Sequence, residues 1–425
     1  MSKFTRCLMA LLSAWLAAPA LADEVTGASD TDLLYEDRIA ELERTVKVLA
    51  EELERTRADV TVPEEPELKS SYGMGPAASK VYQLSRGLSI GGYGEAFYRN
   101  YVDDQTTESD TADFLRAVLY FGYKFTERIV FNSEIEIEHA DEIFLEFATL
   151  DFLLRDWANA RVGLLLMPVG FLNEIHEPPF FYGVNRPDVE RVIIPTTWRE
   201  NGVGLFGNLG EQLQYKLYAV NGFDGSDFSS SGLRGGRQKG SKALAEHIAL
   251  TGRLDWRPTD AFLLGGSFYT GESGQNQPGI PDARTTLFDV HAQYKAKGLH
   301  LRGLYTMAFI DQAAALSNAL ELDPDEDGIA EVMLGGYGEI AYDVWGWLGE
   351  GERTLEPFYR YEYYDTQYDM PSGFLPDESK AIQVHTVGLQ FKPIPNVVLK
   401  ADYRNRSAKE GKIADELNLG IGYVF

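Results

Sequence analysis

Cysteine is all but missing from this 425-residue chain: the single one, Cys7, falls in an N-terminal stretch that reads as a cleavable leader. Lys3 and Arg6 precede an apolar run from Leu8 to Leu16, and Ala-Ala-Pro-Ala-Leu-Ala at 17–22 supplies a small-residue cleavage site after Ala22. Residues 1–22 are therefore expected to be a signal peptide. The mature chain then has no thiol, which excludes disulfides and Cys-metal chemistry and suits an oxidising periplasm. Long apolar runs are also missing. No stretch of roughly eighteen uninterrupted apolar residues occurs, which excludes membrane-spanning helices. Positive charge is scarce, with 39 Lys and Arg against 65 Asp and Glu for a net charge of -26. That balance argues against nucleic acid or an anionic surface as a direct partner. The six histidines show no metal-ligand spacing along the chain. No phosphate-binding loop, dinucleotide fingerprint or nucleophile elbow stands in a credible context, so neither enzymatic activity nor a cofactor is expected.

What the chain does have is alternation. Leu417, Leu419, Ile421, Tyr423 and Phe425 share one face of a terminal strand, with small or polar residues between them. Similar period-two segments recur from Leu88 onward. Ile129, Phe131, Ile135 and Ile137 oppose Asn132, Glu134, Glu136 and Glu138, and Val397, Leu399, Ala401 and Tyr403 oppose Lys400, Asp402 and Arg404. Sixteen such segments are read between 88–101 and 415–425, among them 354–364 and 380–392. Connections alternate in length: 125–127, 155–158, 210–211 and 297–298 are short, whereas 168–200, 222–244 and 310–331 are long. Short turns at one end and long loops at the other, on an even strand count, predict an all-β fold. The expected architecture is a 16-stranded antiparallel transmembrane β-barrel over 88–425. Aromatic residues near strand ends, such as Trp256, Trp345 and Trp347, fit interfacial girdles. A mean hydropathy of -0.24 is compatible with this, because every second residue faces luminal water.

The polar parity of the strands predicts a charged lumen wall that includes Arg116, Glu134, Glu136, Glu138, Arg161, Arg253, Arg302, Arg360 and Arg404. Cations and acids balance on that parity, so the lumen is expected to be near neutral and the chain's acidity to lie in coil and loops. Residues 168–200 are rich in Pro and aromatics, a liability in free solvent. They are expected to fold inward and narrow the passage, with Glu174, His176, Glu177, Arg186, Asp188, Glu190 and Arg191 lining the constriction.

The run Leu166-Met-Pro-Val-Gly170-Phe, followed by Glu190-Arg191, Pro195 and Asn201-Gly-Val-Gly204, resembles the corresponding stretch of the phosphate-selective porin O and P family. The resemblance extends more weakly over 88–425. It implies a trimeric outer-membrane porin with sixteen strands and an inward third loop. It also implies passive diffusion of small hydrophilic or charged solutes, including anions such as phosphate. Arg191 matches a basic loop position of the family, but no lysine cluster accompanies it.

Ahead of the barrel, Ile39, Leu42, Val46, Leu49 and Leu53 repeat at heptad spacing, with Glu51 and Arg55 at helical salt-bridge distance. Residues 33–60 are therefore expected to form a periplasmic, oligomerising coiled coil, and 61–87, rich in Pro, Gly and Ser, a flexible linker. The coil supports a second reading, an outer-membrane tether to periplasmic partners. Asp323, Asp325 and Asp327 before Gly328 imitate the opening of a calcium loop, although Leu334 stands where the closing Glu belongs.

Overall fold

The computed structural model describes residues 30–59, 69–102 and 108–425. The expected leader 1–22, Cys7 with it, and the first part of the expected linker lie outside the described residues. The chain divides into two compact units, one ending at Ala58 and one beginning at Asp59. In the first, Asp30–Asp59 is a single helix, α1. Its heptad side chains Ile39, Leu42, Val46 and Leu49 are exposed in the protomer.

In the second unit, alternation along the chain becomes a ring. The strands are β1 (Gly87–Tyr101), β2 (Thr111–Thr126), β3 (Ile129–Glu138), β4 (Glu142–Arg155), β5 (Ala158–Leu166), β6 (Arg199–Leu209), β7 (Leu213–Asn221) and β8 (Ile248–Thr259). They continue as β9 (Phe262–Glu272), β10 (Arg284–Ala296), β11 (Leu299–Ile310), β12 (Val332–Tyr342), β13 (Thr354–Asp369), β14 (Ala381–Ile394), β15 (Val397–Ala408) and β16 (Glu416–Val424). Each pairs antiparallel with its neighbours in sequence, and β1 pairs with β16 from Tyr93↔Val424 to Tyr101↔Glu416. Closure leaves no sheet edge, so every strand satisfies its backbone hydrogen bonds within the ring, the condition for crossing a bilayer. Phe425 extends the seam, its N–H donating to the Gly92 carbonyl at 2.8 Å.

Side-chain burial follows the parity. Leu417, Leu419, Ile421 and Tyr423 are exposed on the outside of β16, while Glu416 and Asn418 are buried on the inside. In β4 one extra residue, Glu146, stands between Leu145 and Phe147, which pair with Ile135 and Glu134. This bulge turns a further carboxylate inward, where it meets Arg199 at 2.8 Å. At the tightest turn, Lys297 and Gly298 both have positive φ, 52° and 81°. Those dihedrals match the twist of a two-residue hairpin.

The long-loop end of the barrel is packed with loop residues against one side of the wall. Residues 167–198 (L3) and 222–247 (L4) fold against the walls of β7–β12. Trp198 stacks on Phe223 at 4.5 Å among Met167, Val189, Ile193, Leu233, Tyr269 and Met333, all buried. Burial of this aromatic cluster anchors the loops by roughly 25 cal/mol per Å² removed from water.

The flexible-linker expectation is corrected for residues 69–86. Met74, Ala77, Ala78, Val81 and Leu84 are buried inside the barrel, and Lys80–Gln83 forms a short helix, α2. Proline, glycine and serine made the stretch look loose, but its few apolar residues have a luminal wall to pack on.

Candidate functional site

L3 crosses the lumen, and the wall holds it chiefly by its backbone. Lys392 donates to the Pro179 carbonyl at 2.7 Å, Arg302 to that of Phe180 at 3.2 Å, and Lys400 to those of Phe181 and Gly183 at 2.9 Å each. Arg360 donates to the Tyr182 carbonyl at 3.0 Å and the Asn185 carbonyl at 3.2 Å. Arg360 is also paired with carboxylates, but a cation bonded only to carbonyl oxygens, as Lys392 is, is anchored without being neutralised. This arrangement positions the loop and leaves positive charge in the lumen.

All the wall residues read from parity face inward. Arg116 meets Glu95 at 2.9 Å, Glu136 at 3.2 Å and Glu138 at 3.5 Å. Arg161 forks onto both oxygens of Asp151 at 2.8 and 2.7 Å. Arg253 donates to Asp255 at 3.0 Å, and Arg360 to Glu362 at 2.9 Å and Glu339 at 3.1 Å. Arg404 joins Glu416 at 2.8 Å to Asp188 of L3 at 2.5 Å. Glu134 is fully buried and faces His176 of L3 at 3.3 Å.

The expected constriction residues separate into two groups. Glu174 borders a cavity of about 780 Å³ toward the short-turn end, in contact with Lys216. Arg186, Asp188 and Arg191 border a second cavity of about 510 Å³ toward the long loops. His176, Glu177 and Glu190 are buried anchors rather than lining, which corrects that part of the expectation. Glu190 accepts from the N–H groups of Phe171 and Leu172 and from the Tyr337 hydroxyl at 2.7 Å. Glu177 accepts from the Ala77 N–H at 3.0 Å. A loop that crosses a lumen must satisfy its own turns, and these carboxylates do so.

Burial sets the loop's ionisation. It pushes Glu177 up to about 8, with Glu134 adding to the effect, and pushes His176 down to about 3, helped by Arg186 and Arg116. Burial would raise Asp188 as well, but Arg404, Arg191 and Arg406 overcome it and hold the carboxyl well below its ordinary range.

The two cavities carry more cations on their lining than the near-neutral count over strand parity. The outer cavity is bordered by Arg99, Arg116, Arg186, Arg191, Arg199, Arg234, Arg237, Lys239, Arg404 and Arg406 against Glu95, Glu108, Glu138, Glu146, Asp188 and Glu416. The inner one has Lys216, Arg253, Arg257, Lys295, Arg302 and Lys392 against Glu174 and Asp255. L4 brings in Arg234, Arg237 and Lys239, which strand parity could not reach. Arg234 donates to the Thr196 carbonyl at 2.7 Å and Arg237 to the same oxygen at 2.6 Å. Burial first, then the neighbouring guanidinium groups, push the proton affinity of both Arg234 and Lys239 down. Positive charge is thus crowded here beyond what nearby carboxylates offset. The Arg-Gly-Gly-Arg-Gln-Lys run at 234–239 was the signal available in the sequence.

The calcium-loop candidate does not form a ligand set. Asp323, Asp325 and Asp327 are exposed, and the Asp323 carboxylate is taken by the Asp325 N–H at 2.9 Å. Among the described residues, the group whose ligand atoms converge is His247, Glu272 and Asp282. Arg284 already donates to Glu272 there at 2.7 Å, placing a cation beside it.

No family model matches the chain. The fold is shared with solved outer-membrane proteins at low identity. Salmonella typhi OmpF in complex with daunomycin superposes with a TM-score of 0.55 at 13% identity, over 80% of this chain and 98% of that one. The outer-membrane channel DcaP of Acinetobacter baumannii gives 0.53 at 12%, over 80% and 98%. OmpT of Vibrio cholerae in its trimer form gives 0.50 at 10%, over 80% and 100%. Likeness at these identities concerns architecture: the barrel is of the porin type. In sequence, an uncharacterized protein of Aquifex aeolicus (strain VF5) is 38% identical over 387 residues, 87% of each chain. With that identity over that length, the chain belongs to the same family as the Aquifex aeolicus protein.

Proposed function

We propose that the protein is a passive outer-membrane channel for small hydrophilic solutes that favours anions, oxyanions such as phosphate among them. The observation that carries this reading is the cationic surplus on both cavity walls of a chain whose net charge is -26. Lys392, Arg302, Arg234 and Arg237 are anchored on carbonyl oxygens, so their charge remains available to a passing anion. The apolar outer face supports insertion among outer-membrane lipid, and a homotrimer agrees with the resemblance read in L3 and with the trimer form of the Vibrio cholerae relative in fold. A leader at 1–22 and a periplasmic coil at 33–60 complete the reading. The exposed stripe Ile39, Leu42, Val46 and Leu49 favours a second role for the coil, as an oligomerising tether to periplasmic partners.

The experiment is single-channel recording of the purified protein in planar bilayers. Discrete conductance steps are expected, and deleting 174–188 from L3 should enlarge them. An unchanged step size after that deletion contradicts L3 as the constriction. Deleting 23–60 should leave the step size intact while weakening the trimer.

A further inference from the structure

We propose that residues 69–86, immediately before β1, are a built-in stopper that shares with L3 the task of setting the narrowest cross-section of the channel. The proposal rests on the channel reading above and adds a second selectivity element to it. The stretch lies inside the barrel at the short-turn end, against β1–β5. Met74, Ala77, Ala78 and Val81 are between 1% and 3% exposed. Wall side chains hold its backbone as they hold that of L3. Lys124 donates to the Leu84 carbonyl at 2.5 Å and the Tyr82 carbonyl at 3.0 Å, and Asn132 to that of Ala78 at 2.9 Å. The Tyr82 hydroxyl donates to Asp151 at 2.8 Å.

The wall is shaped for it. Gly122 of β2 has no side chain where a Cβ would stand 2.5 Å from the Val81 Cβ, so the stopper lies directly on bare backbone. The stopper and L3 are also joined, through the Ala77 N–H on Glu177 at 3.0 Å. Neither contact is needed to close the barrel, whose strands pair completely without this stretch. Its effect is on the lumen. Ser70, Ser71, Tyr72, Pro76 and Gln83 line the inner cavity together with Lys295 and Lys392. Tyr72, 38% exposed, stands edge-on to Tyr82 and Phe206 at 4.8 and 5.6 Å. Stopper and loop thus touch each other and both line the inner cavity, so a solute in that cavity meets both.

The test compares the full chain with a variant lacking 69–84, both purified in detergent and checked for the heat-dependent electrophoretic mobility of a folded barrel. Conductance should rise roughly twofold or more, because ion flow scales with the narrowest cross-section. Larger uncharged sugars should also enter liposomes carrying the variant. A second variant keeps the stopper: Tyr72→Cys in a Cys7→Ser background, labelled in the open channel with a bulky methanethiosulfonate. Labelling should cut the current by about half or more. A folded deletion variant with unchanged conductance and size limit, or a labelled Tyr72→Cys channel that conducts as before, overturns the proposal while leaving the channel reading standing. If neither the full chain nor the deletion variant conducts, both readings fall together. If only the deletion variant conducts, the stopper closes the resting channel completely and the proposal holds in its strongest form.

Discussion

Arg404 illustrates how single side chains fasten the loop to the wall. It spans from β15 to Asp188 of L3 and Glu416 of β16, with all three side chains at least 96% buried. Arg404→Met would take from both carboxylates their shared buried partner, leaving Glu416 to Arg406 and Asp188 to the exposed Arg191, and we expect a loss of about 2–4 kcal/mol of stability. Asp188 has its pKa held below the ordinary 3.8, so the stabilisation it brings is present above that pH and fades as the pH falls through the lowered folded value. Melting curves of Arg404→Met and the parent should therefore differ most at neutral pH and converge in strong acid. Glu177 has the opposite sign. Its pKa is raised from 4.5 to about 8, so the folded state is favoured below 4.5 and loses that advantage as pH rises through 8. Glu177→Gln keeps an acceptor for the Ala77 N–H and should flatten the decline in melting temperature between about pH 5 and 9. A decline as steep as in the parent would contradict this assignment. Parity in the sequence was enough to place Arg116, Arg161, Arg360 and Arg404 on the inner face. The composition of L3 could not tell a lining side chain from a buried one, because the burial of His176, Glu177 and Glu190 depends on partners remote in the chain, such as Glu134, Ala77 and Tyr337.

At the scale of elements, L3 is suspended from cations that grip its carbonyl oxygens. Replacing Lys392 and Lys400 together by Met removes three such bonds, each worth about 1.5–3 kcal/mol where a charge is involved. The prediction is an L3 that fluctuates: open-channel current noise should rise several-fold while the barrel still folds. Noise equal to that of the parent would count against suspension by these residues. Most strands were legible because lipid on one side and water on the other impose period two along each of them. The expected segments 284–296 and 88–101 match β10 and β1 to within one residue at either end. β13 runs to Asp369, beyond the expected 364, because its last residues leave the apolar band yet still pair, as Val332 does with Asp369. Hydrophobic pattern reports contact with lipid; it does not report where hydrogen bonding stops. The stopper was illegible for a related reason, since its composition is that of a loop and its burial comes from a ring formed by residues far later in the chain.

For the molecule as a whole, charge is separated by place. A sum over the sequence gives -26, and a sum over strand parity gives balance, yet the cavities are cationic. The difference arises from buried clusters in which carboxylates outnumber cations, such as Glu339 and Glu362 on the single Arg360, and from L4 cations that enter from outside the strand pattern. Replacing Arg234 and Arg237 by Glu should therefore reduce or reverse ion preference without altering the barrel, as read by current in asymmetric salt. The most direct test of the account is the reversal potential of the unmodified channel in a potassium chloride gradient. The cationic lumen predicts a potential of the sign set by chloride permeating faster than potassium. A potential of the opposite sign, with potassium favoured, would contradict it.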